Sequence, residues 1–569
     1  MSTLVCVPIT VHDADAALAD ARTAKAAGAE LVEYRIDEFF SGPADTTPDI
    51  LRIVAASPLP CIVTCRPAWG GEGGSYDGDD AARIALFERL GTAFGPGEHP
   101  PRYLDVEWST LSRSANIRQK VRLAVEHPEQ SRDLTTSLIL SLHDFDGRPA
   151  DLTRRLLAMR GESAARVLKV AYRCRSLRDN LELFDLLEHR DRPTIALGMG
   201  EFGLMSRVLA PKFGAFLTFA SLRPTTTTAP GQPTIRELLD LYRFRSIGPA
   251  TNVYGVVGWP VGHSVSPHVH NAGFSAINWP GVYLPLPIPG ARPAATERDA
   301  PAHSDNAPAD LESAYISLKA TLVELVEHPR LSLRGVSVTI PHKENLVRLA
   351  RDRGWSIDPV AARIGAANTL AVDRAPDGRP IAARVFNTDA PAIADCLRAA
   401  LGTFHNLTLA VLGAGGVARA AAYAAAAEGA RVIIFNRTRD HAEALCEDLT
   451  GLPGPVTPGG SHDLADPAVR AVVNATPVGM SGGPDPAGSP IPIDTLRARQ
   501  PGSLLVLDTV YNPVLTPLLR AAAAHGHRTI DGVEVFTSQA ARQFEAWTGT
   551  PPPTGLFDRV ARETLAASS

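Results

Sequence analysis

The run RVLKVAYRC places Lys169 in the middle of an apolar, strand-like segment. An amine there either snorkels to water from a half-buried strand or is kept for its chemistry. Among apolar neighbours the ammonium form loses solvation, which lowers its pKa and frees a neutral nucleophile. Facing a ketone, that amine forms a Schiff base, and the iminium acidifies the α-proton. Other strand-like segments end in groups suited to the remaining steps: Glu33, Arg35 and Asp37 in EYRIDEF, Arg66 in TCRP and Glu72 in GGEGG. Asp105 and Glu107 follow in YLDVE, His143 in SLHDF, Arg207 in MSR and Gln232 in APGQ. Singly, each reads as an ion pair or a satisfied polar residue. Gathered at one mouth, they make a site. His143 can take the α-proton and later protonate a leaving hydroxyl, while Arg207 can grip a carboxylate through two parallel bonds. The output is dehydration of a β-hydroxy ketone that carries a carboxylate.

The second half holds a different set. GHSVSPHVHN offers Ser264 and Ser266 on one face of an extended segment, VTIPHK offers Thr339 and Lys343, GAANTL offers Asn368, and FNTD offers Asp389. As isolated residues these are surface charges or caps; together, Lys and Asp can move a proton at an alcohol oxygen while hydride leaves the adjacent carbon. The stretch LTLAVLGAGGVARAAAYAAAAEGARVIIFNRTRD reads as strand, glycine turn, helix, strand. Gly413, Gly415 and Ala418 fit G-x-G-x-x-A, and with Ala414, Gly416 and Val417 they form a turn that brings backbone N–H groups to a pyrophosphate. Asn436, Arg437 and Thr438 follow the next strand, where an NAD site usually carries an acid; Arg437 suits a 2′-phosphate and points to NADP.

Elements to hold these residues are legible too. Eight strand candidates alternate with Ala/Leu-rich helical stretches over the first ~230 residues, as a (β/α)8 barrel requires; a doubly wound open sheet is the alternative. The helical stretch after the first strand ends at Gly28. A Pro/Thr-rich stretch, RPTTTTAPGQPT, closes this region, and a new α/β pattern begins near residue 250. Domains are expected over 1–240, 250–395 and 396–569, with a polar insertion at about 289–310 that cannot bury much surface.

The 569 residues are too many for one core. With 45% hydrophobic and 21% charged residues and a net charge of −5, nothing marks a nucleic-acid or anionic-membrane partner. No apolar run reaches membrane-spanning length. The N-terminus has no signal-peptide pattern and enters a strand almost at once, so a cytoplasmic location is expected. Cys6, Cys61, Cys65, Cys174, Cys396 and Cys446 are scattered; Cys61 and Cys65 lack a second pair at finger spacing, so reduced thiols and no metal are expected.

The motifs EYRID, TCRP with a downstream EGG, SLHDF, LKVA, MSR and APGQ, in this order through residues 1–235, resemble the type I 3-dehydroquinate dehydratases. The resemblance implies a TIM barrel, with Lys169 as the Schiff-base residue and His143 as general acid/base. It makes Glu33 the neighbour that orients His143, and Arg35, Arg66, Arg207, Thr228 and Gln232 the substrate contacts. Thr228 replaces the usual Ser before APGQ and keeps a hydroxyl, and the spacing from Arg66 to Glu72 is slightly long. Residues 252–550 closely resemble shikimate dehydrogenase. That implies a substrate domain and a Rossmann NADP domain, shikimate contacts from Ser264, Ser266, Thr339, Asn368, Tyr511 and Gln539, and Lys343 with Asp389 as the catalytic pair. Thr476, Val478 and Met480 in NATPVGM would line the nicotinamide side. Departures are Ser337 before VTIPHK, the glycine-poor VFNTDAPA, and Val535-Phe536.

The two halves make consecutive chemistry. Dehydrating 3-dehydroquinate gives 3-dehydroshikimate, which NADPH reduces to shikimate; these small molecules are the expected partners of a monomer or homodimer. Alternatives are a quinate-preferring or NAD-using dehydrogenase, or a metabolite-sensing regulator without turnover. The presence of Lys169, His143, Lys343 and Asp389 together favours the enzyme.

Overall fold

All eight apolar runs of the first half form strands: β1 (Leu4–Thr10), β2 (Leu31–Arg35), β3 (Cys61–Thr64), β4 (Tyr103–Glu107), β5 (Ser137–Asp144), β6 (Ala165–Arg173), β7 (Thr194–Met199) and β8 (Leu217–Phe219). The computed structural model describes residues 2–568 except 43, 96–97, 127–135, 227–230, 291–310 and 461–462, so Thr228 and most of the expected insertion lie outside the described residues. The chain divides into two compact units, Met1–Thr251 and Asn252–Ser569.

In the first unit the strands pair in parallel in the order β7-β6-β5-β4-β3-β2-β1-β8. The order does not reverse, as it would in a doubly wound sheet. The result is a nearly closed barrel, in which Phe216 N, just before β8, donates to Thr194 O of β7 at 2.9 Å. Strands covered on both faces read as continuous apolar runs, which explains their legibility. Inside, Cys6, Ile62, Ile139, Val167, Ala171, Leu197 and Phe219 form one apolar cluster. Side chains two apart share a face of a strand, so Lys169 points the same way as Val167 and Ala171, into the barrel. The first helix, Ala14–Ala26, starts where Asp13 accepts from Ala16 N at 2.8 Å.

The second unit contains two sheets. One is mixed: β9 (Asn252–Gly258), β10 (Gly281–Pro287), β11 (Leu333–Val338), β12 (Ser356–Ile357), β13 (Thr369–Arg374) and β14 (Pro380–Phe386), in the order β10-β9-β11-β13-β14-β12. The other is parallel: β15 (Thr408–Leu412), β16 (Arg431–Phe435), β17 (Val456–Pro458), β18 (Val469–Asn474), β19 (Leu505–Asp508) and β20 (Arg528–Ile530), in the order β17-β16-β15-β18-β19-β20. Its order reverses between β15 and β18, the crevice where a Rossmann-like sheet takes a dinucleotide. The helices Gly532–Thr548 and Leu556–Ser568 return to the mixed sheet, where Phe544 and Phe557 pack with Tyr254, Val269 and Phe274. No helix among the described residues is long and apolar enough to cross a membrane.

Candidate active sites

A pocket opens in the first unit, lined by Glu33, Arg35, Arg66, Glu72, His143, Lys169, Arg207 and Gln232, with Phe219 and Leu197 among its apolar walls. The C-terminal ends of parallel strands collect these side chains at one mouth, which is where such a fold does chemistry. Lys169 is buried, but its wall is not purely apolar as expected. Nζ donates to Asp105 Oδ2 at 2.8 Å and to Glu33 Oε1 at 3.4 Å, and lies 4.6 Å from the Phe219 ring centre. An ion-paired ammonium is no nucleophile, so a proton must leave Nζ before it can attack a carbonyl.

Asp105 also accepts from Arg66 Nη2 at 3.1 Å and from Ser141 Oγ at 2.6 Å. Burial pushes its carboxyl upward, but the charges of Lys169 and Arg66 outweigh that and hold it below the usual carboxylate range. Arg66 Nη1 contacts both ring nitrogens of His143, at 2.7 Å from Nε2. Burial, together with Arg66, Lys169 and Arg35, holds the imidazole well below its ordinary pKa, so His143 is neutral at pH 7. A neutral imidazole can accept the α-proton.

The expected pairing of Glu33 with His143 is corrected. Glu33 accepts from Thr64 Oγ1 at 2.7 Å and from Lys169, whereas the carboxylate beside His143 is Glu72, with Oε2 3.5 Å from Nδ1. The loop after β3 doubles back through Tyr76 N donating to Arg66 O at 3.0 Å and Ala68 N to Tyr76 O at 2.8 Å, carrying Glu72 over the mouth. Burial pushes the Glu72 carboxyl up to about 7, aided by the Glu107 charge and opposed by the Ser109 hydroxyl. Arg35 is held by Asp37, Nε donating to Oδ1 at 3.3 Å. Arg207 differs: its buried guanidinium makes no hydrogen bond or ion pair among the described residues, and burial lowers its pKa to about 10. It is a cation waiting for an anion.

In the second unit Lys343 Nζ donates to Asp389 Oδ2 at 2.6 Å. Each residue begins a helix, Lys343–Arg353 and Asp389–Leu401. Close by, Asn368 Nδ2 donates to Thr388 Oγ1 at 2.9 Å and to Gln539 Oε1 at 3.4 Å, while its Oδ1 accepts from Thr388 N at 2.8 Å. Ser264 Oγ accepts from Ser266 N at 3.2 Å and lies beside Tyr511. Ser266 lies beside Tyr283, whose hydroxyl donates to Ser337 Oγ at 2.7 Å. Thr339 follows β11 directly, its N donating to Val257 O at 2.9 Å.

The glycine turn lies between β15 and the helix Gly416–Ala427. Gly413 has φ +111°, a conformation L side chains rarely adopt. A Cβ on Gly415 would meet nothing within 4 Å, leaving open space at the helix N-terminus, whereas one on Gly416 would lie 3.1 Å from the Lys343 Cβ. The cofactor turn therefore packs directly on the stem of Lys343. Asn436 Nδ2 donates to Thr438 O at 2.8 Å, and Arg437 is exposed with no partner among the described residues. An open cradle of backbone N–H groups and a free cation beside it fit a phosphorylated dinucleotide. Thr476, Val478 and Met480 follow β18, with Val478 N donating to Thr476 Oγ1 at 3.3 Å. All six cysteines are free, and no group of His, Cys, Asp and Glu among the described residues could hold a metal.

Comparison with known proteins agrees with both halves. The type I 3-dehydroquinase model matches residues 5–249, the shikimate dehydrogenase substrate-binding domain 256–370, the shikimate/quinate 5-dehydrogenase model 395–456, and the shikimate 5′-dehydrogenase C-terminal domain 532–562. A bifunctional 3-dehydroquinate dehydratase/shikimate dehydrogenase, chloroplastic, from Arabidopsis thaliana is 35% identical over 574 residues, covering 98% of this chain and 84% of that one. The chain belongs to the bifunctional 3-dehydroquinate dehydratase/shikimate dehydrogenase family. A shikimate dehydrogenase (NADP(+)) from Methanocella arvoryzae is 37% identical over 316 residues, covering 55% of this chain and 99% of the relative. A solved shikimate 5-dehydrogenase from Thermus thermophilus, in complex with NADP(H) and shikimate, is 32% identical at a TM-score of 0.42, covering 55% of this chain and 100% of that one.

For a member of this family, sequence reasoning left several residues without a role. Asp105 was visible as a polar residue at the end of the strand-like YLDVE, but its bond to Lys169 was not. Thr388, Asn474 and Asp508 gave weaker signals, as polar residues at the ends of strands or starts of helices.

Proposed function

We propose that Lys169 is the Schiff-base residue of the first unit, and that Lys343 and Asp389 are the proton-transfer pair of the second. The chain is a two-reaction enzyme of the shikimate pathway: it dehydrates 3-dehydroquinate and reduces the 3-dehydroshikimate so formed to shikimate with NADPH. The observation that carries the assignment of roles is a lysine in each unit, buried at 169 and half-buried at 343, whose Nζ is bonded to carboxylate.

In the dehydratase, Nζ passes its proton to Asp105 and attacks the substrate ketone; loss of water gives the iminium. Neutral His143, oriented by Glu72, removes the α-proton and returns it to the departing hydroxyl; water then hydrolyses the product iminium, releasing the ketone and freeing Nζ. Arg207 takes the substrate carboxylate, with Arg35, Arg66, Thr228 and Gln232 around the hydroxyls. Glu33 holds Lys169 from the pocket side. We propose that the barrel closes fully between β7 and β8, and that the dehydratase spans 1–240.

In the dehydrogenase, spanning 250–395 and 396–569 with the insertion at about 289–310, Ser264, Ser266, Thr339, Asn368, Tyr511 and Gln539 hold the polyol. NADPH supplies the hydride when bound. Gly413 to Val417 would cradle its pyrophosphate, Asn436, Arg437 and Thr438 its 2′-phosphate, and Thr476, Val478 and Met480 its nicotinamide side. Lys343 delivers the proton to the carbonyl oxygen, and Asp389 holds the ammonium in place. The enzyme is assigned to the cytoplasm as a monomer or homodimer.

One coupled assay tests the whole: 3-dehydroquinate with NADPH, following NADPH loss. Wild type should consume NADPH; Lys169→Ala should do so only when 3-dehydroshikimate is supplied; Lys343→Ala should not under either condition. Initial rates with shikimate and quinate against NADP and NAD decide the dehydrogenase preference.

A further inference from the structure

Asp508 ends β19 and Asn474 ends β18, and the two are partners in the parallel ladder. Both are fully buried. Asp508 has no cation beside it among the described residues, and burial pushes its carboxyl up to about 6. A buried carboxylate without a counter-charge costs stability, so its hydrogen bonds must do something specific. Oδ1 accepts from Asn474 Nδ2 at 2.9 Å and from Val510 N at 3.0 Å; Oδ2 accepts from Thr516 Oγ1 at 2.6 Å.

From this pair two loops are fixed. Asn474 Oδ1 accepts from Thr476 N at 3.0 Å and Thr476 Oγ1 at 2.7 Å, starting the loop that runs to Met480. Asn474 O accepts from Thr509 N at 3.0 Å, and Asp508 itself accepts from Val510, starting the loop that carries Tyr511. A second tie joins the loops further out, Ser481 N donating to Asn512 O at 2.8 Å. Tyr511 lies beside Ser264. The nicotinamide-side loop and a substrate-side tyrosine thus share one buried anchor.

We infer that Asp508, acting through Asn474, is a positioning residue that couples cofactor binding to substrate binding in the dehydrogenase. The inference rests on the proposed roles of Thr476–Met480 and Tyr511. With the anchor intact, ordering one loop on a ligand orders the other, and the second ligand binds to a loop already set. The bonds, not the charge, carry the effect, because an asparagine at 508 can accept from the same N–H groups and donate to the Thr516 hydroxyl.

The test measures shikimate affinity by calorimetry with and without saturating NADPH, a pair of reduced ligands that cannot react. In wild type NADPH should tighten shikimate binding; Asp508→Ala should cut that enhancement by about tenfold, a typical coupling magnitude. Asn474→Ala breaks the same bridge from the other side and should show the same fall, while Asp508→Asn keeps the enhancement. Shikimate binding without NADPH, retained in all three, reports a folded second unit. Wild-type enhancement in both alanine variants, or equal loss in Asp508→Asn, overturns the inference, as does a wild type that binds both ligands without coupling. A wild type that binds neither overturns the reading beneath it, and the inference with it.

Discussion

Lys169 Nζ sits 2.8 Å from one oxygen of Asp105, and the other oxygen of that carboxylate accepts from Arg66 at 3.1 Å. Since Arg66 also touches His143, one buried carboxylate joins the amine to the imidazole. Asp105→Asn should therefore lower dehydratase kcat by roughly 10²–10³, within the range of general acid–base effects. Borohydride added with 3-dehydroquinate should add mass to the peptide containing Lys169 in wild type, more slowly in Asp105→Asn, and not in Lys169→Ala. An unchanged mass in wild type would sink the Schiff-base assignment.

Glu72 makes the dehydratase pH-dependent, with a definite sign. Its carboxyl lies at about 7 in the fold against an ordinary 4.5, so the folded state holds the proton more tightly than the unfolded one. That contribution is complete below pH 4.5 and is lost as pH rises through 7. The shift corresponds to about 3 kcal/mol at most. Glu72→Gln should thus gain stability relative to wild type between pH 5 and pH 8, read from the thermal transition that abolishes dehydratase activity. Because the ionised form orients the neutral His143, wild-type kcat/KM should climb through pH 7, and the variant's profile should be flat there.

What the sequence could tell about this site follows from distance along the chain. Each strand was visible because its two covered faces leave an unbroken apolar run, and the direction of Lys169 follows from its alternation with Val167 and Ala171. Its partner does not. Asp105 lies 64 positions away and meets it through the register of β4 on β5 and β5 on β6. The resemblance named Glu33 as the neighbour of His143, and the backbone bonds of the loop after β3 bring Glu72 there instead. In the second unit the glycine turn and Arg437 were legible because strand, turn and helix are contiguous. Asn474 and Asp508, 34 apart on neighbouring strands, were not.

Arg207 trades stability for binding. It is 2% exposed and unpaired among the described residues, so the fold carries the cost of a desolvated cation. Arg207→Met should raise the thermal stability of the first unit, by roughly 1–3 kcal/mol if it follows other buried charges replaced by apolar groups. The same change should raise the KM for 3-dehydroquinate on the order of 10²-fold, because a charge-assisted bidentate contact is lost. A variant that is destabilised and binds substrate normally would make Arg207 a structural residue.

Arg437 should decide between the two dinucleotides. It is exposed at the end of β16, has no acidic partner among the described residues, and stands where an acid would otherwise accept from a ribose hydroxyl. Arg437→Ala removes a cation that only a 2′-phosphate needs, so the KM for NADPH should rise by about 10- to 100-fold, the worth of one phosphate contact in a partly exposed site. The KM for NADH should change little, since no phosphate is present to lose its partner. Dehydratase rates in the same preparation provide the internal control. Initial rates over both cofactors check it directly: an equal rise for NADPH and NADH would mean that Arg437 shapes the loop rather than reads the phosphate.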